Sequence, residues 1–204
     1  MVDNIHWLGH DSFRIEGPVT IYVDPWQLPA GVPRADVILV THDHYDHCSP
    51  EDVSKISKPD AVVVTIAAAA KKLKGDVRVV EPGDSLTVKG IPIEAVPAYN
   101  VNKHFHPKEA GHVGFIVTVE GQRIYHAGDT DFVPEMKDLE VDIALLPVSG
   151  TYVMTADEAV NAAKAISPRV AIPMHYGEIV GDQADAQHFR ELYGGEVVIL
   201  PLER

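Results

Sequence analysis

Short β-branched runs recur along the chain, parted by Gly, Pro and Asp. They read as strands over 19–23, 36–41, 61–65, 77–80, 85–89 and 91–96, and again over 112–119, 122–126, 141–146, 169–173 and 196–200. Helices are fewer but better signalled. Ser49-Pro50-Glu51-Asp52 puts an N-cap ahead of a proline at the first helical position. Thr155-Ala156-Asp157-Glu158 is a capping-box pattern, continued by good helix formers to Ile166. The segments 66–74 and 182–193 are the other two. This order predicts an α/β (α+β) protein with two mixed sheets flanked by helices. The longest irregular segment, Pro97 to Gly111, is polar and holds His104 and His106; loops of that length inside compact domains are often functional.

Composition narrows the picture. At 204 residues, with no Gly/Ser linker and no repeat, the chain reads as one domain spanning 1–204. Hydrophobic residues are 46% and charged residues 23%, which suits a packed core. A formal net charge of −13 argues against a basic track for nucleic acid. It leaves room for an anionic small molecule, because bound divalent metals reverse the sign locally. A single cysteine, Cys48, allows no internal disulfide. No signal peptide is visible and no stretch is long and apolar enough to span a membrane, so the cytoplasm is the expected location.

The chemistry concentrates in His42-Asp43-His44-Tyr45-Asp46-His47, directly after the apolar run Val37-Ile38-Leu39-Val40. Imidazole and carboxylate are the donors that divalent transition metals favour. His42 and His44, two apart on extended chain, point the same way, and Asp46 and His47 can face a second ion. Two further strand ends repeat the pattern. Asp129 follows Tyr125-His126-Ala127-Gly128, and His175 follows Ile172-Pro173-Met174. Sites in open α/β sheets collect beyond the carboxyl ends of strands, which is where all three segments lie.

Taken together, His42-x-His44-x-Asp46-His47, Gly128-Asp129-Thr130 and Met174-His175-Tyr176 resemble the motif set of the metallo-β-lactamase superfamily. Gly9-His10-Asp11-Ser12-Phe13 and the segment from Tyr125 to Thr130 resemble a branch that includes ascorbate-6-phosphate lactonase-like proteins and other metal-dependent hydrolases. The resemblance implies a four-layer αββα sandwich and two divalent ions, with zinc first and manganese, iron or nickel as alternatives. It implies that His42 and His44 hold the first ion, that Asp46, His47 and His175 hold the second, and that Asp129 bridges them. Metal-bound hydroxide would then attack a phosphoester or a lactone, with Asp46 as the catalytic residue that orients it or takes its proton. The implied substrate is small and anionic. Asp24 and His126 are expected to hold ligand imidazoles in one tautomer, and His10 and Tyr152 to stand behind the metals or touch substrate.

One ligand departs from the pattern. Relatives carry a third histidine for the first metal in the loop before His112, where this chain has Asn100. His106 is the preferred replacement, with His104 and Asn100 as alternatives. His6, His112 and His188 read as structural or surface residues. Two rival functions stay open: a mononuclear iron dioxygenase on the same fold, and a non-catalytic binding protein that retains it.

Overall fold

The computed structural model describes residues 2–204. The first sheet holds β1 (Ile5–Trp7), β2 (Phe13–Ile15), β3 (Ile21–Val23), β4 (Ala35–Val40), β5 (Ser57–Thr65) and β6 (Asp76–Val79), side by side in that order. β1 to β3 pair antiparallel, and β3 to β6 pair parallel. The second sheet holds β7 (Ser85–Val88), β8 (Ile91–Pro97), β9 (Val113–Val119), β10 (Gln122–His126), β11 (Ile143–Pro147) and β12 (Val170–Met174), in the order β12-β11-β10-β9-β8-β7. Its antiparallel half is β7 to β10, and β10 to β12 run parallel. Both sheets therefore have parallel strands whose carboxyl ends release loops. The central strands β4 and β11 are apolar and buried almost throughout, as strands covered on both faces must be.

Helices flank the sheets. Ser49 caps α1 (Pro50–Ile56) by accepting from the Asp52 backbone N–H. Thr155 and Glu158 form the reciprocal capping box of α3 (Ala156–Ile166), and Asp182 and Asp185 form that of α4 (Gln183–Tyr193). The buried face of α3 packs on β11, and α4 packs on α3 and on β12. Among the described residues no helix is long and apolar enough to cross a membrane.

The structure departs from the sequence reading at several elements. β1 and β2, three residues each, had no counterpart in it, because so short a run shows almost no alternation. The helix expected over 66–74 shrinks to α2 (Ala67–Ala70), after which the chain turns at Lys71-Lys72. The strand expected over 196–200 does not form. Its backbone makes two hydrogen bonds, Ala171 N to Glu196 O and Val198 N to Ala171 O, and the pairing stops there. Two residues on from Ala171, and so facing the same edge of β12, stands Pro173, which has no N–H to extend a ladder.

Candidate metal centre

The segments that follow β3, β4, β10, β11 and β12 meet at one edge of the sandwich. β4 runs through Thr41 into His42, which is fully buried. The Thr41 backbone N–H and hydroxyl donate to Asp24 at 2.8 and 2.7 Å. The hydroxyl oxygen also lies 2.9 Å from His42 Nδ1. Since its proton is directed at Asp24, it accepts from His42 Nδ1–H, and His42 Nε2 is left with a lone pair. That Nε2 lies 3.0 Å from His44 Nδ1, and His106 Nε2 lies 3.3 Å from the same nitrogen. One donor atom from each of these three imidazoles falls within 4.8 Å of the others.

Asp24 orders a second ring as well. Its Oδ2 lies 2.8 Å from His47 Nδ1, so His47 Nε2 faces away from it, 3.4 Å from Asp129 Oδ1 and 3.7 Å from Asp46 Oδ2. Beyond β12, the Ser149 hydroxyl lies 2.8 Å from His175 Nδ1, turning His175 Nε2 to within 3.4 Å of Asp129 Oδ2. The same Asp129 oxygen is 3.2 Å from His106 Nε2. Asp129 therefore touches both groups, and Gly128 before it turns at a φ of 63° that leaves no room for a side chain against Thr41 and Val113.

The electrostatics of the two groups differ. Burial, and then His47, hold His42 well below the ordinary imidazole range. Around His175 burial also acts downward, but the Asp129 and Asp11 carboxylates overcome it and lift the ring to about 9. Burial would raise Asp129; His175 and His47 override it and hold the carboxyl well below the usual range. So burial holds His42 and His106 of the first group below the ordinary imidazole range, while the second is an ion-paired network around a shared carboxylate.

His47 Nε2 and Asp129 Oδ1 are buried without a hydrogen-bond partner. Buried polar atoms left without a hydrogen bond are costly, and a bound cation would satisfy both. Imidazole and carboxylate donors in two adjacent groups, joined by one aspartate, fit two divalent transition-metal ions.

A family model described as the beta-lactamase superfamily domain matches residues 4–175. A UPF0173 metal-dependent hydrolase from Thermoplasma acidophilum is 37% identical over 215 residues, covering 97% of this chain and 94% of its own. This chain belongs to the metallo-β-lactamase superfamily, among its metal-dependent hydrolases. A crystal structure from Parabacteroides distasonis, assigned as a metal-dependent hydrolase, superposes with a TM-score of 0.86 at 37% identity, covering 98% of this chain and 93% of the other. A metallo hydrolase from Ignicoccus hospitalis shares the fold, with a TM-score of 0.79 at 23% identity over 98% and 95% of the two chains.

Within this superfamily member the departures from the motif find physical reasons. Asn100 does not join either donor group. Its Nδ2 donates to the Tyr152 carbonyl at 2.8 Å, and its Oδ1 accepts from the His106 backbone N–H at 3.0 Å. Its own N–H donates to the His106 carbonyl at 2.7 Å, closing a tight loop that carries His106 inward. His104 stays exposed on that loop. Tyr152 stacks edge-on against Phe105, ring centroids 4.5 Å apart, at the rim of the site. His126 does not hold a ligand imidazole, contrary to expectation. Its Nδ1 accepts from Gly128 N–H and its Nε2 donates to the Asp11 carbonyl at 2.9 Å, which ties two turns together. His10 stands closer than expected, with Nε2 3.3 Å from Asp46 Oδ2 and its ring among those of His47 and His175.

Sequence reasoning missed three residues. His112 is buried and stacks on His42 at 4.8 Å between centroids; burial, then His106, push it down to about 4. Ser149 orients His175. Asp11 sits fully buried beside the second group. None carries a spacing signal of its own, though Asp11 lies inside the segment that resembles the superfamily branch.

Proposed function

We propose that this chain hydrolyses a lactone or another carboxylic ester with two divalent ions, zinc first among the candidates. The observation that carries this is Asp129, shared between two groups of buried donors at the floor of an open cleft. His42 Nε2, His44 Nδ1 and His106 Nε2 would hold the first ion; Asp46, His47 Nε2 and His175 Nε2 would hold the second. When bound, such a pair lowers the pKa of a shared water towards neutrality and stabilises negative charge that develops on the substrate.

The chain's own residues prepare the reaction. Although burial pushes Asp46 up, His10 and then His47 hold its carboxyl below the usual range, so it is ionised at neutral pH and able to orient a water proton. Asp24, directly for His47 and through Thr41 for His42, and Ser149 for His175 hold each Nδ1 and so aim each Nε2 into the centre.

The cleft favours the ester over the phosphoester. It measures about 240 Å³ and is lined by His44, Tyr45, Asp46, Phe105, His106, Asp129, Tyr152 and Ile179. Apolar and aromatic groups form its walls, and neither lysine of the neighbouring loop reaches it. Lys103 is paired with Asp131 at 2.6 Å, and Lys108 with Glu135 at 2.9 Å. A phosphate would find only the metals to meet its charge, whereas an acyl chain or ring would bury apolar surface.

The test is a metal-loaded comparison of 4-nitrophenyl butyrate, a γ-lactone and 4-nitrophenyl phosphate, alongside elemental analysis of protein purified without a chelator. About two equivalents of metal, with ester or lactone turnover abolished by His42→Ala and by Asp129→Ala, is the expected result. Undiminished turnover in both variants sinks the catalytic assignment, and turnover of the phosphate alone sinks the substrate class.

A further inference from the structure

Among the described residues the fully or nearly buried aspartates are Asp11, Asp24, Asp52, Asp129 and Asp131. Three of them are well supplied with partners. Asp24 accepts from Thr41 and His47, Asp52 from the Gln27 and Leu28 N–H groups and Lys55, and Asp131 from the Val101 N–H and Lys103. Asp129 is the carboxylate shared by the two donor groups. Asp11 alone, at 0% exposure, has neither oxygen hydrogen-bonded. The nitrogen recorded beside it, His47 Nδ1 at 3.8 Å, is already held by Asp24, and burial pushes the Asp11 carboxyl well above the usual range. Ionising a carboxyl so placed costs far more than a typical hydrogen bond returns.

The backbone holds that side chain where it is. Gly9 and His10 both take positive φ, 99° and 50°, and the turn closes through Ser12 N–H to Gly9 O at 2.9 Å. The His126 ring then clamps the Asp11 carbonyl to the Gly128 N–H, joining the turn that carries Asp11 to the turn that carries Asp129. As a result one Asp11 oxygen lies within 4.8 Å of donor atoms from His47, Asp129 and His175. A strained turn, a ring clamp and a carboxyl group without a hydrogen bond all point at the second donor group.

We propose that Asp11 is a metal-binding carboxylate of the second site, joining Asp46, His47, His175 and the shared Asp129 there. The inference rests on the two-metal reading above. It makes the second site richer in oxygen donors than the imidazole-lined first site, a difference that favours manganese or iron there relative to the first position. It also accounts for His126, which positions both carboxylate-bearing turns without touching an ion.

The test is Asp11→Asn, which keeps the shape and removes the charge. Binding of Zn²⁺ and Mn²⁺ is followed by competition with a chromophoric chelator, and melting temperature is read with and without metal. One equivalent should bind as in the wild type and the other about 100-fold more weakly, at the upper end of what disturbing a metal's support costs. The metal-induced rise in melting temperature should shrink, while the metal-free variant melts no lower than the metal-free wild type. A variant that binds both equivalents with wild-type affinity overturns the proposal. Wild-type protein that binds neither metal overturns the metal-centre reading itself, so the two failures are distinguishable. If Asp11→Asn does not fold, a crystal structure of zinc-loaded wild-type protein decides. An Asp11 oxygen within about 2.2 Å of the ion supports the assignment, and one held off by an intervening water refutes it.

Discussion

Replacing Asp24 with asparagine probes how one buried carboxylate governs both halves of the metal centre. Asp24 accepts three hydrogen bonds: from the Thr41 N–H at 2.8 Å, from the Thr41 hydroxyl at 2.7 Å and from His47 Nδ1–H at 2.8 Å. An asparagine can keep the first through its amide oxygen. Its NH₂ then stands where Oδ2 stood, facing two donors. The Thr41 hydroxyl can rotate away, which releases its hold on His42 Nδ1. His47 can accept from the amide only by moving its proton to Nε2, the nitrogen that faces Asp129.

Both the fold and the metal should suffer. A hydrogen bond to a charged group is worth about 1.5–3 kcal/mol, and breaking a buried charge pair costs about 3–5 kcal/mol. The contacts share one carboxylate and do not add, so about 3 kcal/mol of metal-free stability should be lost. Metal affinity should fall about 10- to 100-fold, because two ligands lose the partner that sets their tautomer. Urea unfolding of the metal-free chain at pH 7 reads the first effect, and chelator competition reads the second. An unchanged urea midpoint with unchanged affinity would show that Asp24 does not set these tautomers.

Other consequences are testable with less apparatus. Asn100→Ala should lower affinity at one of the two metals about tenfold while leaving the other, because it frees the loop that carries His106 without removing a donor; elemental analysis after dialysis against a weak chelator checks it. Asp36 accepts from Thr20 N–H and Lys58, contacts that outweigh burial and hold its carboxyl below the usual range. That stabilisation is present above the ordinary carboxylate value and is lost as pH falls through the lowered one, so Asp36→Asn should cost about 1 kcal/mol at pH 7 and progressively less from pH 5 to pH 3, as urea midpoints at each pH would show. Burial pushes the Cys48 thiol up to about 11, so a thiol-reactive dye at pH 8 should label the native chain at least about 100-fold more slowly than the chain in guanidinium.

What the sequence made legible follows from where the physics is local. The run from Val37 to Val40 and the histidines and aspartates after it lie on contiguous chain, so a strand, its end and a cluster of candidate donors can be read together. The capping box of α3 is equally local, and that helix starts where its cap stands, whereas the box of α4 was not read although its helix was. β1 and β2 were hidden because their strand character comes from pairing with one another and, through β2, with β3 rather than from their own pattern. The strand at 196–200 was over-read because its alternation says nothing of Pro173 on the neighbour that should have paired with it. The site divides in the same way. Donors that follow a strand end were visible, but Asn100 and His126 act through hydrogen bonds to backbone far away in sequence, and their roles exist only once those turns meet.

The contrast between Asp24 and Asp11 carries this one step further. Both are fully buried, both follow short runs of the first sheet, and both lie near His47. Asp24 is surrounded by donors and so is explained by the protein alone, as the anchor of two rings. Asp11 lies beside the same ring, 3.8 Å from His47 Nδ1, but has no hydrogen bond; burial pushes its carboxyl well above the usual range, so its ionised form calls for a counter-charge that the protein alone does not supply. The difference between them is therefore a statement about what the protein binds. A carboxylate whose partners are all present orients the site, and one whose partner is missing marks where a cation belongs.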